Sequence, residues 1–410
     1  MCDDSPNYAL QKVLVVTQTS TIFDSVVQVN IGKSTNPSWE APRSYKVPFL
    51  LTPALNILVN TIPAMQHLHT IRLNNIFLSG VYLYTILFSA HLIHLILDTI
   101  QLPEMSTFPP TKLRKLTLTR VICSWETAQP LIAQLATSLE YLELQWCTFL
   151  DPFQLQLPSF PCLQELRYHQ YYTHSMFPDN DQLNELLRLW SQVTHLHLNG
   201  NSKEPVTACR KSLQYLDTNI RMLSDYIFGT EPFPRLMHLS LEIPEAADYP
   251  PTLSSFIRDH FPTITSFHLS IPWAFRNRAM VMARFQHNVQ ALKLVINIRQ
   301  WIDDEEDGET DSCFPVEVPD DQLHRAMLPT SLEALTLDII QSHGELERGA
   351  TRCIRWVFDH VVPFMTGSGG TGLKSISLLV SQPKSRLVER ERLLSRQWVK
   401  APDDVWHLLR

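Results

Sequence analysis

Residues 139–147 read Leu139-Glu140-Tyr141-Leu142-Glu143-Leu144-Gln145-Trp146-Cys147. Side chains of an extended segment alternate, so Leu142 and Leu144 share one face, while Tyr141, Glu143 and Gln145 share the other. One such segment says little, but the apolar-x-x-apolar-x-apolar unit recurs on both sides. Upstream it is Leu68/Ile71/Leu73, Leu92/Leu95/Leu97 and Leu113/Leu116/Leu118. Downstream it is Leu163/Leu166/Tyr168, Val193/Leu196/Leu198, Leu213/Leu216/Thr218, Leu236/Leu239/Leu241 and Ile264/Phe267/Leu269. It ends as Val289/Leu292/Leu294, Leu332/Leu335/Leu337 and Leu373/Ile376/Leu378. Starts from 68 to 289 advance by about 25 residues, and the last two steps lengthen to 43 and 41, which marks insertions. A period in this range signals stacked repeats.

Helical stretches are expected between the strands, at 131–136, 183–190, 253–257 and 352–364. Pro130, Asp181 and Thr252 stand near three of their starts. Strand alternating with helix gives parallel strands joined by right-handed crossovers. Each unit buries one face against its neighbours, so stacking makes one continuous core.

On these residues the chain resembles leucine-rich-repeat proteins, whose units read L-x-x-L-x-L-x-x-N/C-x-L. Cys147, Asn201 and Asn297 occupy the N/C slot, while Ile76, Ile100, Val121, Tyr171, Pro244, Pro272 and Ile340 stand there in other units. The resemblance implies an α/β fold: an irregular leucine-rich-repeat solenoid, like the ribonuclease-inhibitor horseshoe. A parallel sheet would line its concave side, with helices on the convex side. The solenoid is expected over 49–382 in about 12 repeats, with an acidic insertion at about 302–321. Residues 1–48 read as an N-terminal cap or poorly ordered segment, holding one more strand at Leu10-x-x-Val13-x-Val15. Residues 383–410 read as a charged tail or capping helix.

Of the 410 residues, 44% are hydrophobic and 18% charged, enough apolar mass for a large core. A net charge of −7 leaves no basic footprint for nucleic acid. The seven cysteines lie at least fifteen residues apart, which is neither a disulfide framework nor a CxxC pattern. The first residues lack the basic and apolar regions of a signal peptide, so a cytoplasmic or nuclear protein is expected. The uncharged stretch 73–97 is long enough to span a bilayer. Asn74, Asn75, His91 and His94 would be costly there, and Leu92/Leu95/Leu97 keeps the repeat phase. The stretch therefore reads as a buried helix over 81–90 and a strand over 92–97, with no membrane partner.

No motif points to catalysis or a cofactor. Gly367-Ser-Gly369-Gly-Thr-Gly372 matches GxGxxG, but in helix-to-strand order, the reverse of a dinucleotide site. Gly32-Lys33-Ser34-Thr35 lacks the earlier glycine of a phosphate loop, since position 27 is Val27. The acidic run from Asp303 to Asp311 lacks the closing Glu of a calcium loop, where Phe314 stands. A non-enzymatic chain with no cofactor and no metal is expected.

Function would then lie on the polar side of the strands, at the third, fifth and seventh places of each unit. The candidate partner-binding residues in the earlier repeats are Arg72, Lys115, Tyr141, Glu143, Glu165, Arg167, His169, His195 and His197. Those in the later repeats are Tyr215, Asp217, His238, Glu242 and His268. Strands about 4.8 Å apart would bring His169, His195, His197, His238 and His268 near one another. That patch reads as polar surface, as a pH-sensitive recognition patch or as a metal site. Only His195/His197 are fixed by spacing, so no metal ligand is assigned.

The irregular units and Pro/His/Trp-rich connections are similar to the repeat half of fungal F-box/leucine-rich-repeat proteins. That resemblance implies a protein-interaction scaffold, the substrate-recognition subunit of an SCF-type ubiquitin ligase, with a Skp-type adaptor and a cullin as partners. Residues 1–48 hold no Leu-Pro start and no amphipathic helices of an F-box. The alternative is a stand-alone repeat protein that inhibits or regulates a partner enzyme. In either case a monomer is expected.

Overall fold

The computed structural model describes residues 25–32, 52–149 (except 77, 106, 124 and 146), 160–169, 192–199, 209–219, 231–243, 253–272, 288–298, 331–341, 373–383, 390–401 and 406–409. The chain forms two compact units, Met1–Ser212 and Leu213–Arg410.

In the first unit a parallel sheet runs β1 (Gln28–Gly32), β2 (Thr70–Asn74), β3 (His94–Asp98), β4 (Lys115–Thr119), β6 (Tyr141–Gln145), β8 (Glu165–His169) and β9 (His195–Asn199). A separate parallel pair joins β5 (Ile122–Cys123) to β7 (Thr148–Phe149). The helices are α1 (Thr52–Thr61), α2 (Gly80–Leu87) and α3 (Trp125–Leu135). In the second unit, β10 (Tyr215–Asn219), β11 (His238–Glu242), β12 (Ser266–Pro272), β13 (Ala291–Ile298), β14 (Ala334–Gln341) and β15 (Ser375–Pro383) are parallel neighbours. Helix α4 (Leu253–His260) precedes β12. Repeating parallel strands of one register, each carrying the leucine pattern, make the fold a leucine-rich-repeat solenoid of the α/β class.

The leucine pattern reads burial directly. Every apolar place of the twelve units is buried except Tyr168, and Thr218 fills its place buried as well. Fully burying a side chain of this size is worth about 1.5–3 kcal/mol, and a one-residue register slip would turn the whole set to solvent. Leu83, Ile86 and Leu87 of α2 and Leu131, Ile132 and Leu135 of α3 add to the buried layer.

A hydroxyl ladder supports the stack at the start of the strands. Ser138, Ser212, Thr263 and Ser331 each precede the first apolar residue of a unit. Each donates to the carbonyl of the first apolar residue one repeat back: Leu113 (2.8 Å), Val193 (2.9 Å), Leu236 (2.7 Å) and Val289 (2.9 Å). At the other end the N/C slot is used at Cys147, whose Sγ donates to the Leu118 carbonyl at 3.2 Å. Where Ile76, Ile100 and Val121 fill that slot they are buried, and the backbone takes over. Asn75, Thr99 and Arg120, each just past its strand, adopt φ of 50°, 56° and 50°. Their N–H groups reach the last carbonyls of the next strands, Asp98 (2.9 Å), Thr119 (2.8 Å) and Gln145 (2.7 Å). For branched Thr99 this left-handed geometry costs about 1–2 kcal/mol, offset by its hydroxyl bond to Asp98 Oδ1 at 3.0 Å.

Several expectations are corrected. Helix α3 begins at Trp125, so Pro130 lies inside it rather than at its start. As the sixth residue of the helix, proline has no N–H for the carbonyl four residues back, and its ring crowds that carbonyl. Within the segment 1–48, residues 28–32 form a strand that the repeat search does not pick out, β1, paired Val29↔Ile71 and Ile31↔Leu73. Gly32, singled out as the start of a phosphate-loop remnant, is the last residue of that strand. Asn297, Pro272 and Ile340, which stand in the N/C slot, lie within β13, β12 and β14. Runs such as Val295-Ile296-Asn297-Ile298 favour continued extension. The C-terminal segment is not a helix: β16 (Arg390–Lys400) pairs antiparallel with β15, and β17 (Trp406–Leu409) with β16. The pairing sets Leu394 opposite Val380, Arg396 opposite Leu378 and Trp398 opposite Ile376.

The stretch 73–97 folds as α2 and β3, and among the described residues no helix is long and apolar enough to cross a membrane. The strand expected at 10–15, the helices at 183–190 and 352–364, the acidic insertion at 302–321 and the glycine run 367–372 lie outside the described residues.

Candidate functional site

Register places the polar residues of the first unit in three rows. The first runs Thr70, His94, Lys115, Tyr141, Glu165, His195. The second runs Arg72, Ile96, Thr117, Glu143, Arg167, His197, and the third Asn74, Asp98, Thr119, Gln145, His169, Asn199. All nine candidates expected from the earlier repeats therefore stand on one face of one sheet.

Tyr141 is the centre of a connected cluster. Its hydroxyl donates to Glu143 Oε2 at 2.7 Å, and Thr117 Oγ1 donates to the same oxygen at 3.2 Å. His94 Nε2 lies 3.2 Å from the Thr117 hydroxyl, and its ring meets the Tyr141 ring edge-on at 6.0 Å. Two cations flank the aromatic ring: Arg167 Cζ at 5.5 Å and Lys115 Nζ at 6.0 Å from its centroid. Burial pushes the Tyr141 hydroxyl well above its ordinary range, and the bond to Glu143 adds to this. The phenol is thus a fixed donor at any physiological pH. Burial lowers the His94 pKa, Lys115 lowers it further and Glu143 opposes both.

Beside this cluster, Arg167 Nε donates to Glu165 Oε1 at 2.8 Å, and His197 Nε2 lies 3.5 Å from the same oxygen. On the other side Asp98 is gripped from two strands. Arg72 Nη2 reaches its Oδ2 at 3.0 Å, and Arg120 reaches its Oδ1 through Nη2 at 2.6 Å and Nε at 3.2 Å. Neither Asp98 nor Arg120 is among the candidates that the sequence singles out. Arg120 stands one place past its strand, and only the left-handed turn there swings it back over Asp98. No residue-type rule predicts positive φ at an arginine.

The second unit has its own polar rows. Tyr215 is registered with His238, their rings 6.3 Å apart, and Asp217 with Ser240 and then His268. Ser240 Oγ lies 3.2 Å from His268 Nδ1. Glu242 is registered with Asn219, and its pKa is raised by desolvation and then by Asp217. Of the histidines in the expected patch, His169, His195 and His197 belong to the first unit and His238 and His268 to the second. Among the described residues no three His, Cys, Asp or Glu side chains are grouped to hold a metal. The surface offers fixed donors, cations over an aromatic ring and half-buried carboxylates, all suited to binding a polypeptide.

No family model matches the chain, and no curated protein matches it. Solved structures do match. One is an internalin (inlF) from Listeria monocytogenes str. 4b F2365, with 14% identity and a TM-score of 0.32, covering 70% of this chain and 88% of that chain. At that score the likeness adds nothing to what the strand register establishes.

Proposed function

We propose that the chain is a non-enzymatic protein-interaction scaffold whose polar sheet face, centred on Tyr141 in the first unit, recognises a protein partner. The single observation behind this reading is the in-register array of aromatic, cationic and histidine side chains over five neighbouring strands. Tyr and Arg anchors held in place by neighbours are the residues that dominate protein interfaces. Within this reading the chain acts alone on a partner enzyme or serves as the substrate-recognition subunit of an SCF-type ligase. The second role rests on the likeness of the repeats to F-box/leucine-rich-repeat proteins, and a cytoplasmic or nuclear monomer suits either.

The test is site-specific photo-crosslinking in cells. Benzoylphenylalanine at His195, which is exposed on the polar face, should capture a protein; at exposed Phe88, beyond α2, it should not. Equal capture from both positions, or capture from Phe88 alone, would refute the assignment of the face. Mass spectrometry of the captured complex separates the two roles: a Skp-type adaptor with a cullin in one case, a single stoichiometric enzyme in the other.

A further inference from the structure

Resting on that reading of the face, we infer that the first unit's polar surface takes an extended partner segment in which acidic and apolar residues alternate. The carboxylates of this face are sunk and already engaged. Asp98, with 4% of its side chain exposed, is held by Arg72 and Arg120. Glu143 accepts from Tyr141 and Thr117, and Glu165 from Arg167. The cations stand above them, with Arg72 48%, Arg167 39% and Arg120 31% exposed. Lys115 is exposed too, and among the described residues it pairs with no carboxylate. A partner approaching this face therefore meets positive charge first, although the whole chain carries −7.

The spacing of the cations is regular. Lys115 lies two strands from Arg72 and two residues back along the register. Arg167 lies two strands from Lys115 and two residues forward. With strands about 4.8 Å apart and about 3.3 Å of rise per residue, each step is about 12 Å. An extended peptide covers that distance in three to four residues. Between Arg72 and Lys115 the strand surface presents Ile96, and between Lys115 and Arg167 it presents the Tyr141 ring. A segment crossing the strands would thus set carboxylates on Arg72, Lys115 and Arg167, with apolar side chains over Ile96 and Tyr141. Four cations on a negatively charged protein are too few for a nucleic-acid backbone, which needs an extended basic stripe.

The experiment is fluorescence anisotropy with the full chain and three labelled peptides of equal length. One carries Glu at every fourth position with Leu midway, the second has Gln for Glu, and the third Lys for Glu. The Glu peptide should bind at least tenfold more tightly than the Gln peptide, and the Lys peptide more weakly still. Its affinity should fall about tenfold in Lys115→Gln/Arg167→Gln and recover in Lys115→Arg. Binding should also weaken as salt screens the exposed charges. Circular dichroism of each variant verifies folding. Equal binding of the Gln peptide, tighter binding of the Lys peptide, no binding of the Glu peptide, or tighter binding of an oligouridylate would each overturn the inference. Crosslinking from position 195 is read separately, so a captured partner together with a failed Glu peptide would sink this chemistry and leave the face's role standing.

Discussion

Asp98→Asn isolates the strongest polar contact of the first unit. The change keeps the shape and removes the charge. Three guanidinium bonds converge on this carboxylate, at 2.6, 3.0 and 3.2 Å. A hydrogen bond to a charged group is worth about 1.5–3 kcal/mol when buried. Arg72 and Arg120 are 48% and 31% exposed, so solvent screens much of that. Asparagine can still accept from one arginine, but its amide then faces the other. The expected loss is about 2–3 kcal/mol. For a unit of this size, about 2–4 °C per kcal/mol puts the fall in melting temperature at about 4–12 °C. Urea unfolding followed by circular dichroism measures the free energy. A double-mutant cycle with Arg120→Ala should return a coupling of about 1 kcal/mol or more. A change below about 0.5 kcal/mol, the size expected of an ordinary surface substitution, would show that the trio adds nothing and that strand stacking alone holds this edge of the face.

Other consequences are as direct. Leu116→Ala, at a fully buried place on β4, should cost about 3–4 kcal/mol; a loss below about 1 kcal/mol in urea unfolding would contradict the packed core. Ser138→Ala should cost about 1 kcal/mol, because it strands the Leu113 carbonyl; an unchanged urea midpoint would deny the hydroxyl ladder a role. Burial pushes the Cys147 and Cys209 thiols up to about 12, against 9.0 unburied. Between those values the unfolded chain loses protons that the fold retains, so stability must fall as pH rises from about 9 to 12, by up to about 1.4 kcal/mol per unit for each thiol. Cys209→Ala should flatten that alkaline decline in urea titrations, and an identical slope would refute the cause. Asp217→Asn should lower the Glu242 midpoint in a carboxyl NMR titration; an unmoved midpoint would leave desolvation as the sole cause.

The strands were legible because three buried places per unit are written in the residue types themselves. Leu92, Leu95 and Leu97 read the same way in sequence and in space. Strand β1 escaped notice although Val26-x-x-Val29-x-Ile31 repeats the unit, because it uses β-branched residues and starts 42 residues before Leu68. Its side chains remain partly exposed at the outer strand of the sheet. The C-terminal strands are masked in the sequence because Arg390-Glu-Arg-Leu-Leu-Ser-Arg carries good helix formers, and pairing with β15 overrides that propensity. Of the face, the rows followed from alternation alone. The clamp on Asp98 did not, since it depends on a left-handed arginine. The hydroxyl ladder had a signal, a Ser or Thr just before a unit's first apolar residue, whose meaning appears only once the neighbouring carbonyl is in place.

The account rests on polar residues of successive repeats standing in straight rows across parallel strands. Nitroxides attached through azide-bearing amino acids at positions 72 and 197 leave the seven native cysteines untouched. These positions share one row and are five strand spacings apart. Double electron–electron resonance should give a single narrow distribution near about 24 Å, the product of five steps of about 4.8 Å, broadened only by the label arms. A broad distribution, or a maximum beyond about 35 Å where five spacings and two label arms cannot reach, would contradict the row and the recognition face built on it.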